Sequence, residues 1–448
     1  MQAGTAITGA SGLALAGRTG LARQVGDRSP VTPSRSAAGA RAADVQHFVS
    51  RPDLTPPAVH ITHEQPGTGA PGHFFITPGM GGPGQGGAMI CDYNGGLVWF
   101  SPSTSQTSKL DFNRQTYRGQ PVLTWYEGPV INGHGEGVAV IADSSYRPVH
   151  TISAGPGLKV DLHEFVITPQ DTALITSFRT APADLSALGG PASGTVLAGV
   201  AQEIDIATGR VLFHWDSLDH VEVTETYKTL AGAGTEANPF DYFHINSIAV
   251  APDGDLIISA RNTWAVYKVA RPSGVIVWRL GGKKSNFAMG PGTRFYWQHD
   301  ARPHGNSSLS LFDDGATPKE ERQSRGIFLD LDTSTMRATL ARQYVHPAPL
   351  LAGAMGNTQL LPGGNVLVGW GTEPYFSEFT HDGKLVRNGR LPASDASYRV
   401  FVQGWSGNPT GRPAAAARSR AAGGATVYAS WNGATTVATW AVLAGRSP

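Results

Sequence analysis

Cysteine occurs once in the chain, at Cys91, which excludes an intramolecular disulfide and any cysteine-based zinc cluster. Cys91 lies in the apolar run Ala88-Met89-Ile90-Cys91-Asp92-Tyr93 and reads as a small buried hydrophobe. Charge is also scarce: Asp, Glu, Lys and Arg make up 15% of the residues, against roughly 25% in an average globular chain. The formal net charge is +1, so no overall field favours nucleic acid or an anionic membrane. No apolar stretch approaches the roughly 20 residues of a spanning helix. No segment sustains an apolar repeat of 3.6 residues, which argues against a helical fold. A Walker-type loop, a His-Glu-x-x-His pair and a calcium loop are all missing.

What is abundant is glycine (56) and proline (31), without a collagen period. That composition implies many turns and short strands. A unit of two strand-like runs around a tight turn recurs along the chain. It appears at Cys91–Phe100, Ile204–Trp215, Val269–Trp278 and Glu378–Val386, with weaker copies at Ile141–Ile152 and Phe328–Leu340. The turns lie roughly 50–65 residues apart, the scale of decorated propeller blades. A second hairpin precedes several of them, at Phe165–Thr176, Ile248–Ser259 and Thr358–Gly369. Two hairpins per repeat make a four-stranded sheet that must stack on neighbours, and ring closure buries both faces. The fold expected is therefore all-β, a six-bladed β-propeller with four-stranded blades. Trp99, Trp215 and Trp278 end hairpin strands and are expected to pack between blades.

Three segments are expected from composition. Residues 1–45 read as a partial signal sequence and disordered leader, with Gly9–Gly17 small and apolar and the following stretch rich in Arg, Ser, Ala and Gly. The apolar piece resembles the later part of a twin-arginine signal truncated in this sequence, so a secreted or cell-envelope location is expected. Residues 46–408 form the propeller. Residues 409–448 read as a Pro/Ala-rich linker and a C-terminal β-hairpin, Thr426–Gly433 with Val437–Leu443.

Propeller sites draw on loops and inner-strand ends around the central channel. In Asp241-Tyr242-Phe243-His244-Ile245-Asn246, strand alternation would put His244 and Asn246 on one face. Gln298-His299-Asp300-Ala301-Arg302-Pro303-His304 is rich in polar groups and reads either as a solvated loop or as a site. Arg325 opens an alternating strand, where a buried guanidinium needs an anion or a carboxylate. His163-Glu164 and His134 read first as structural residues and second as candidates for the channel mouth.

These segments, taken in order, resemble the arylsulfotransferase family, the PAPS-independent aryl sulfate sulfotransferases. The matching pieces are His-x-Asn-Ser-Ile at His244, Gln298-His299, Phe-Asp-x-Gly at Phe312–Gly315 and Ser324-Arg325. The resemblance covers about residues 60–405 and implies a six-bladed propeller that moves a sulfuryl group between phenols through a sulfated histidine. It implies that His244, His299 and Arg325 surround the sulfuryl group; Asn246, Gln298, Arg302, His163 and Glu373 are the substrate-binding candidates read from the residues around them. It implies a small aromatic partner; no metal or other cofactor is expected, since arginine is no ordinary metal ligand and the set His244, His299 and Arg325 holds no carboxylate.

One departure stands out. The family's nucleophilic histidine follows a Gly-aromatic-Gly, and here Gly369-Trp370-Gly371 is followed by Thr372-Glu373-Pro374-Tyr375. Tyr375 falls at or near the histidine's place. A tyrosine can serve as a covalent nucleophile, but its ordinary pKa near 10 makes it weak without a partner. Neither nearby histidine has motif support: His381 lies in a turn expected to face solvent, and His346 in Tyr344-Val345-His346-Pro347. Two further classes stay open on the residues: a lyase, cyclase or hydrolase using His244 and His299 as acid and base, or a non-catalytic ligand-binding propeller.

Overall fold

The computed structural model describes residues 44–444 together with two N-terminal strands, Ala3–Ile7 and Leu13–Thr19. Among the described residues, helix is confined to three single 3-10 turns, at Ser186–Leu188, Ser217–Asp219 and Val223–Glu225. None is long and apolar enough to cross a membrane.

Six antiparallel sheets are arranged as the blades of a propeller. Blade II holds Ser108–Tyr117, Gln120–Gly128, Val138–Ala142 and Pro148–Ile152. Blade III holds Phe165–Ile167, Thr172–Ala183, Gly194–Asp205 and Val211–Asp216. Blade IV holds Ile245–Val250, Leu256–Ala260, Ala265–Val269 and Ile276–Gly281. Blade V begins at His299–Pro303 and Ser308–Asp313, then Arg325–Asp332 and Arg337–Tyr344. Blade VI holds Asn357–Leu360, Val366–Gly369, Tyr375–Phe379 and Leu385–Arg390. The first strand of each lines the central channel.

Blade I closes the ring. Its innermost strand, Val400–Gln403, comes from the far end of the chain and pairs with His73–Ile76, followed by Gly87–Cys91 and Leu97–Pro102. Blades V and VI depart from the four-stranded expectation. Ala288–Met289 adds a short parallel edge to blade V, and His60–Glu64 adds a fifth strand to blade VI. The fifth strand makes a second closure, because it joins the chain's early residues to the blade built last.

The hairpins expected from sequence are the first and last strand pairs of these blades. An apolar cluster fills each of the six interfaces between neighbouring blades. Trp99, Trp215 and Trp278 belong to three of them, and the Trp215 indole also donates to Gly274 O in the next blade at 3.1 Å. Each large buried side chain contributes about 1.5–3 kcal/mol, so the faces of the sheets, rather than any single centre, form the core. Cys91 is fully buried in the cluster between blades VI and I, and burial pushes its thiol far up from the ordinary range.

The C-terminal pairing differs from the expected hairpin. Ala425–Ser430 pairs with Ala414–Ser419, within the stretch read as a linker, and also with Ala3–Ile7. Val437–Ala444 pairs with Leu13–Thr19 instead. The turn between Ala425–Ser430 and Val437–Ala444 is diverted because Asn432 and Gly433 are bonded to blade I. A tight turn is available instead at Gly423 and Gly424, with φ of 84° and 82°. Most of the Arg-, Ser- and Ala-rich segment, residues 20–43, lies outside the described residues.

Candidate active site at the channel mouth

The segments leading into the innermost strands converge at one end of the channel. They carry His163 (blade III), His244 (IV), His299 (V), Met355 (VI) and Tyr398 (I), with His134 arriving from the two-stranded ribbon Val130–Ile131 and His134–Gly135 within blade II. Several of these steps are strained: Asp111, His244, Asp300 and Met355 have φ of 50°, 57°, 56° and 71°. Non-glycine residues seldom occupy this region, and such strain concentrates at functional sites. Strand alternation therefore does not carry His244. It sits before the strand at positive φ, while Asn246 turns inward and donates to Gln298 O at 2.6 Å.

Each channel histidine rests on a carboxylate. His163 Nδ1 lies 2.6 Å from Asp161 Oδ2, His244 Nδ1 2.5 Å from Asp241 Oδ2, and His299 Nδ1 2.8 Å from Asp314 Oδ2. His134 Nε2 shares Asp241 Oδ2 at 3.3 Å. The imidazoles of His163 and His244 meet edge-on at 4.9 Å between centroids, and those of His163 and His299 lie 6.4 Å apart. One nitrogen from each of these three lies within 4.8 Å of the others. The side chains of His163 and His299 are 4% and 2% exposed, against 14% for His244. His244 is thus the most accessible of the three.

The charges follow from burial and pairing. Burial drives the His244 pKa down to about 4, against the pull of Asp241, so the ring is neutral near pH 7 with Nδ1–H on the carboxylate and Nε2 open. Asp241 is held well below the carboxylate range, because the charges and hydrogen bonds of His244 and His134 outweigh its burial. Asp161 is likewise lowered to about 2, against its burial, by His163 and the Gly135 amide. Burial opposes a charge on His134, yet the bond and charge of Asp241 raise it above its ordinary value. Burial moves His299 well down and Asp314 well up. His299 Nε2 accepts from Met355 N–H at 3.3 Å, which places its own proton on Nδ1, toward Asp314.

Below the histidines the channel is closed by a plug of charges. The Arg399 guanidinium bonds Asp111 at 2.7 Å and Glu164 at 3.0 Å, and Arg302 bonds Glu164 at 2.6 Å and Asp300 at 2.8 Å. Beyond it, Glu164, Phe165, Arg302 and Phe401 border a cavity of about 680 Å³.

The structure brings together His244, His299 and His163 and leaves the other expected residues elsewhere. Arg325 meets carboxylates rather than the channel: Asp313 at 2.9 Å and Glu321 at 3.0 Å, with Arg294 O at 2.6 Å. Gln298 is fully buried and donates to Ser259 and to the Ala260 and Ala265 carbonyls, tying blade V to blade IV. Arg302 belongs to the plug. The Tyr375 ring lies 4.9 Å from that of His346 at the head of blade VI. Glu373 shares that loop, its N–H on Trp370 O, and burial raises its pKa against the pull of His346. His381 is exposed, as its turn implied.

Sequence reasoning passed over Asp161, Asp314 and Arg261. Arg261 donates its backbone N–H to His244 O at 2.9 Å and lies 4.8 Å over the Trp297 ring. Its charge contributes to lowering His299. The signal available was positional: Asp161-Leu162-His163 and Asp241-Tyr242-Phe243-His244 both put an acid just ahead of a strand-opening histidine.

Fold and site together define a six-bladed propeller whose reactive groups gather at one mouth of a plugged channel. The family profile of the Arylsulfotransferase (ASST) domain matches residues 113–390, and the chain belongs to that family. No curated protein matches. Among solved structures, a Bacteroides caccae protein of unknown function is 13% identical, covering 74% of this chain and 98% of its own, with a TM-score of 0.44. A functionally unknown Desulfotomaculum acetoxidans protein is 12% identical over 74% and 90%, with 0.39. A streptogramin B lyase is 8% identical over 70% and 72%, with 0.35.

Proposed function

We propose that the protein transfers a sulfuryl group between phenolic compounds at this mouth, with His244 as the relay. The observation that carries the reading is the placement of His244: the least buried of the three imidazoles, its Nδ1 fixed on Asp241 and its Nε2 open, with burial favouring the neutral ring. The Nε2 lone pair attacks the ester sulfur, an N–S bond forms, and the S–O bond to the aryl oxygen breaks. The charge left on the phenolate is met by Arg261 and by Lys228, whose Nζ lies 3.8 Å from Asp241. A second phenol then loses its proton to His163, and its oxygen takes the sulfuryl group from Nε2.

A separate cavity carries an aromatic wall. Tyr227 stacks on Trp264 at 3.6 Å, and both border a cavity of about 540 Å³ with Lys283, Arg294 and Tyr296. Tyr227 N–H donates to Asn262 O, so this wall is built on the loop that pairs with His244. Lys283 lies 5.0 Å over the Tyr227 ring, and Lys283 and Arg294 offer positive charge to an anionic ester there.

The test is incubation with a chromogenic aryl sulfate, with and without a phenol acceptor, followed by intact mass and peptide mapping. Acceptor-dependent phenolate release and one sulfuryl group on the His244 peptide are expected, both lost in His244→Ala. A label on Tyr375 would move the relay there, and no release from any aryl sulfate would overturn the reading.

A further inference from the structure

We propose that His163, His244 and His299 form a three-imidazole site for one divalent cation of the zinc class. The proposal does not rest on sulfuryl transfer. It stands on three imidazoles converging from three blades, each backed by its own carboxylate.

The donor spacing fits. Three nitrogens bound to one tetrahedral zinc at 2.0–2.1 Å lie about 3.4 Å apart. Here one nitrogen of each ring lies within 4.8 Å of the others. Even at that upper limit, closing the triangle to this spacing moves each nitrogen by only about 0.8 Å.

The surroundings fit as well. Zinc-ligating histidines as a rule give their second nitrogen to a carboxylate, a carbonyl or a water, which fixes the tautomer and aims the lone pair. In this channel all three do so, on Asp161, Asp241 and Asp314, at 2.5–2.8 Å. With each Nδ1 engaged, Nε2 is the donor left. His299 Nε2 accepts a long 3.3 Å bond from Met355 N–H, which the cation replaces. In a rival group, His134, Asp241 and His244, the carboxylate Oδ2 already accepts from both rings and only its buried Oδ1 is without a partner. Three imidazoles and no thiolate select zinc, cobalt, nickel or copper over magnesium and calcium. The fourth position stays open, as in catalytic zinc sites with three protein ligands. A bound cation occupies His244 Nε2 and so competes with the sulfuryl relay.

The experiment is titration of chelator-treated, dialysed full-length protein with Co²⁺, read by its visible ligand-field bands, and with Zn²⁺ by calorimetry. One equivalent is expected to bind. His163→Ala and His299→Ala should weaken binding at least 100-fold, and Asp161→Asn by 10–100-fold, while His381→Ala binds like the parent. X-ray absorption of the zinc-loaded parent reads the shell without any variant, and three imidazoles are expected. Absence of stoichiometric binding by the parent, binding indifferent to His163 and His299, or an oxygen-dominated shell would each overturn the proposal. None of these readouts needs turnover, so failure of the cation site and failure of sulfuryl transfer are separate results.

Discussion

His244 combines two properties that oppose each other in solution: it is neutral near pH 7, yet it leans on a charged carboxylate. Burial lowers its pKa from 6.5 to about 4, while Asp241 pulls upward. A relay that needs the Nε2 lone pair therefore keeps working well below the pH at which a free histidine fails. The acid limb of kcat/KM for aryl sulfate is expected near pH 4, not near 6.5, in a pH-rate profile. The same shift acts on stability. The unfolded chain takes up the proton near 6.5 and the folded chain only near 4. Stability from this group is therefore full above about 6.5, falls as pH drops toward 4, and levels off below. The loss is on the order of 3 kcal/mol, measured as a fall in the urea midpoint between pH 7 and pH 4.5. Much of this residue chemistry was readable and part was not. The neighbouring Asp241 and the run Gln298-His299 are local in sequence. The partners of Arg325 were not: whether a guanidinium finds an anion or a carboxylate depends on Asp313 in the adjacent strand. His163 reads in sequence as one polar residue opening a strand, and only ring closure brings it against His244.

At the scale of the strand, the tight turns were the most legible feature, because a hairpin is specified by residues a few positions apart. The edge strand His60–Glu64 was invisible for the opposite reason. Its register on Leu385–Arg390 joins segments more than 300 residues apart in sequence. Its partner strand Leu385–Arg390 contains a tight fit: a Cβ at Gly389 would lie 2.1 Å from the Phe376 ring. Phe376 is buried and packs on Phe74 of blade I at 4.7 Å, so withdrawal of the ring disturbs the interface between the two blades. Gly389→Ala is expected to destabilise by about 1–3 kcal/mol through overpacking, seen as a lower denaturant midpoint with an unchanged slope. A midpoint within error of the parent would mean that the strand edge yields.

Over the whole molecule, the plug and the two closures hold the ring together. Arg399 alone bonds groups from blades II, III and IV: Asp111, Glu164 and Asn246 O. Asp111 shows what this contact counters, since burial lifts its pKa to about 7 even with Arg399 and Arg302 opposing. Arg399→Ala leaves buried carboxylates unpaired and is expected to cost about 3–5 kcal/mol, measured by equilibrium unfolding.

The C-terminal strands act at the outer rim instead. Gly433 N–H donates to Val98 O at 2.8 Å, and the Asn432 side chain bonds both Phe100 N and Phe100 O at 2.9 Å. Leu97–Pro102 is the outermost strand of blade I, and an uncovered edge of this kind pairs with other chains. Removal of residues 409–448 should therefore leave a folded propeller, because Val400–Gln403 and Arg399 remain. Its Tm should fall by roughly 2–4 °C for each kcal/mol of lost contact, and light scattering should report self-association through the bared strand. Removal from residue 396 onward also deletes the closing strand and the central arginine, and should abolish the cooperative transition. If both truncations melt alike, closure through blade I does not decide stability, and the six apolar interfaces suffice without it.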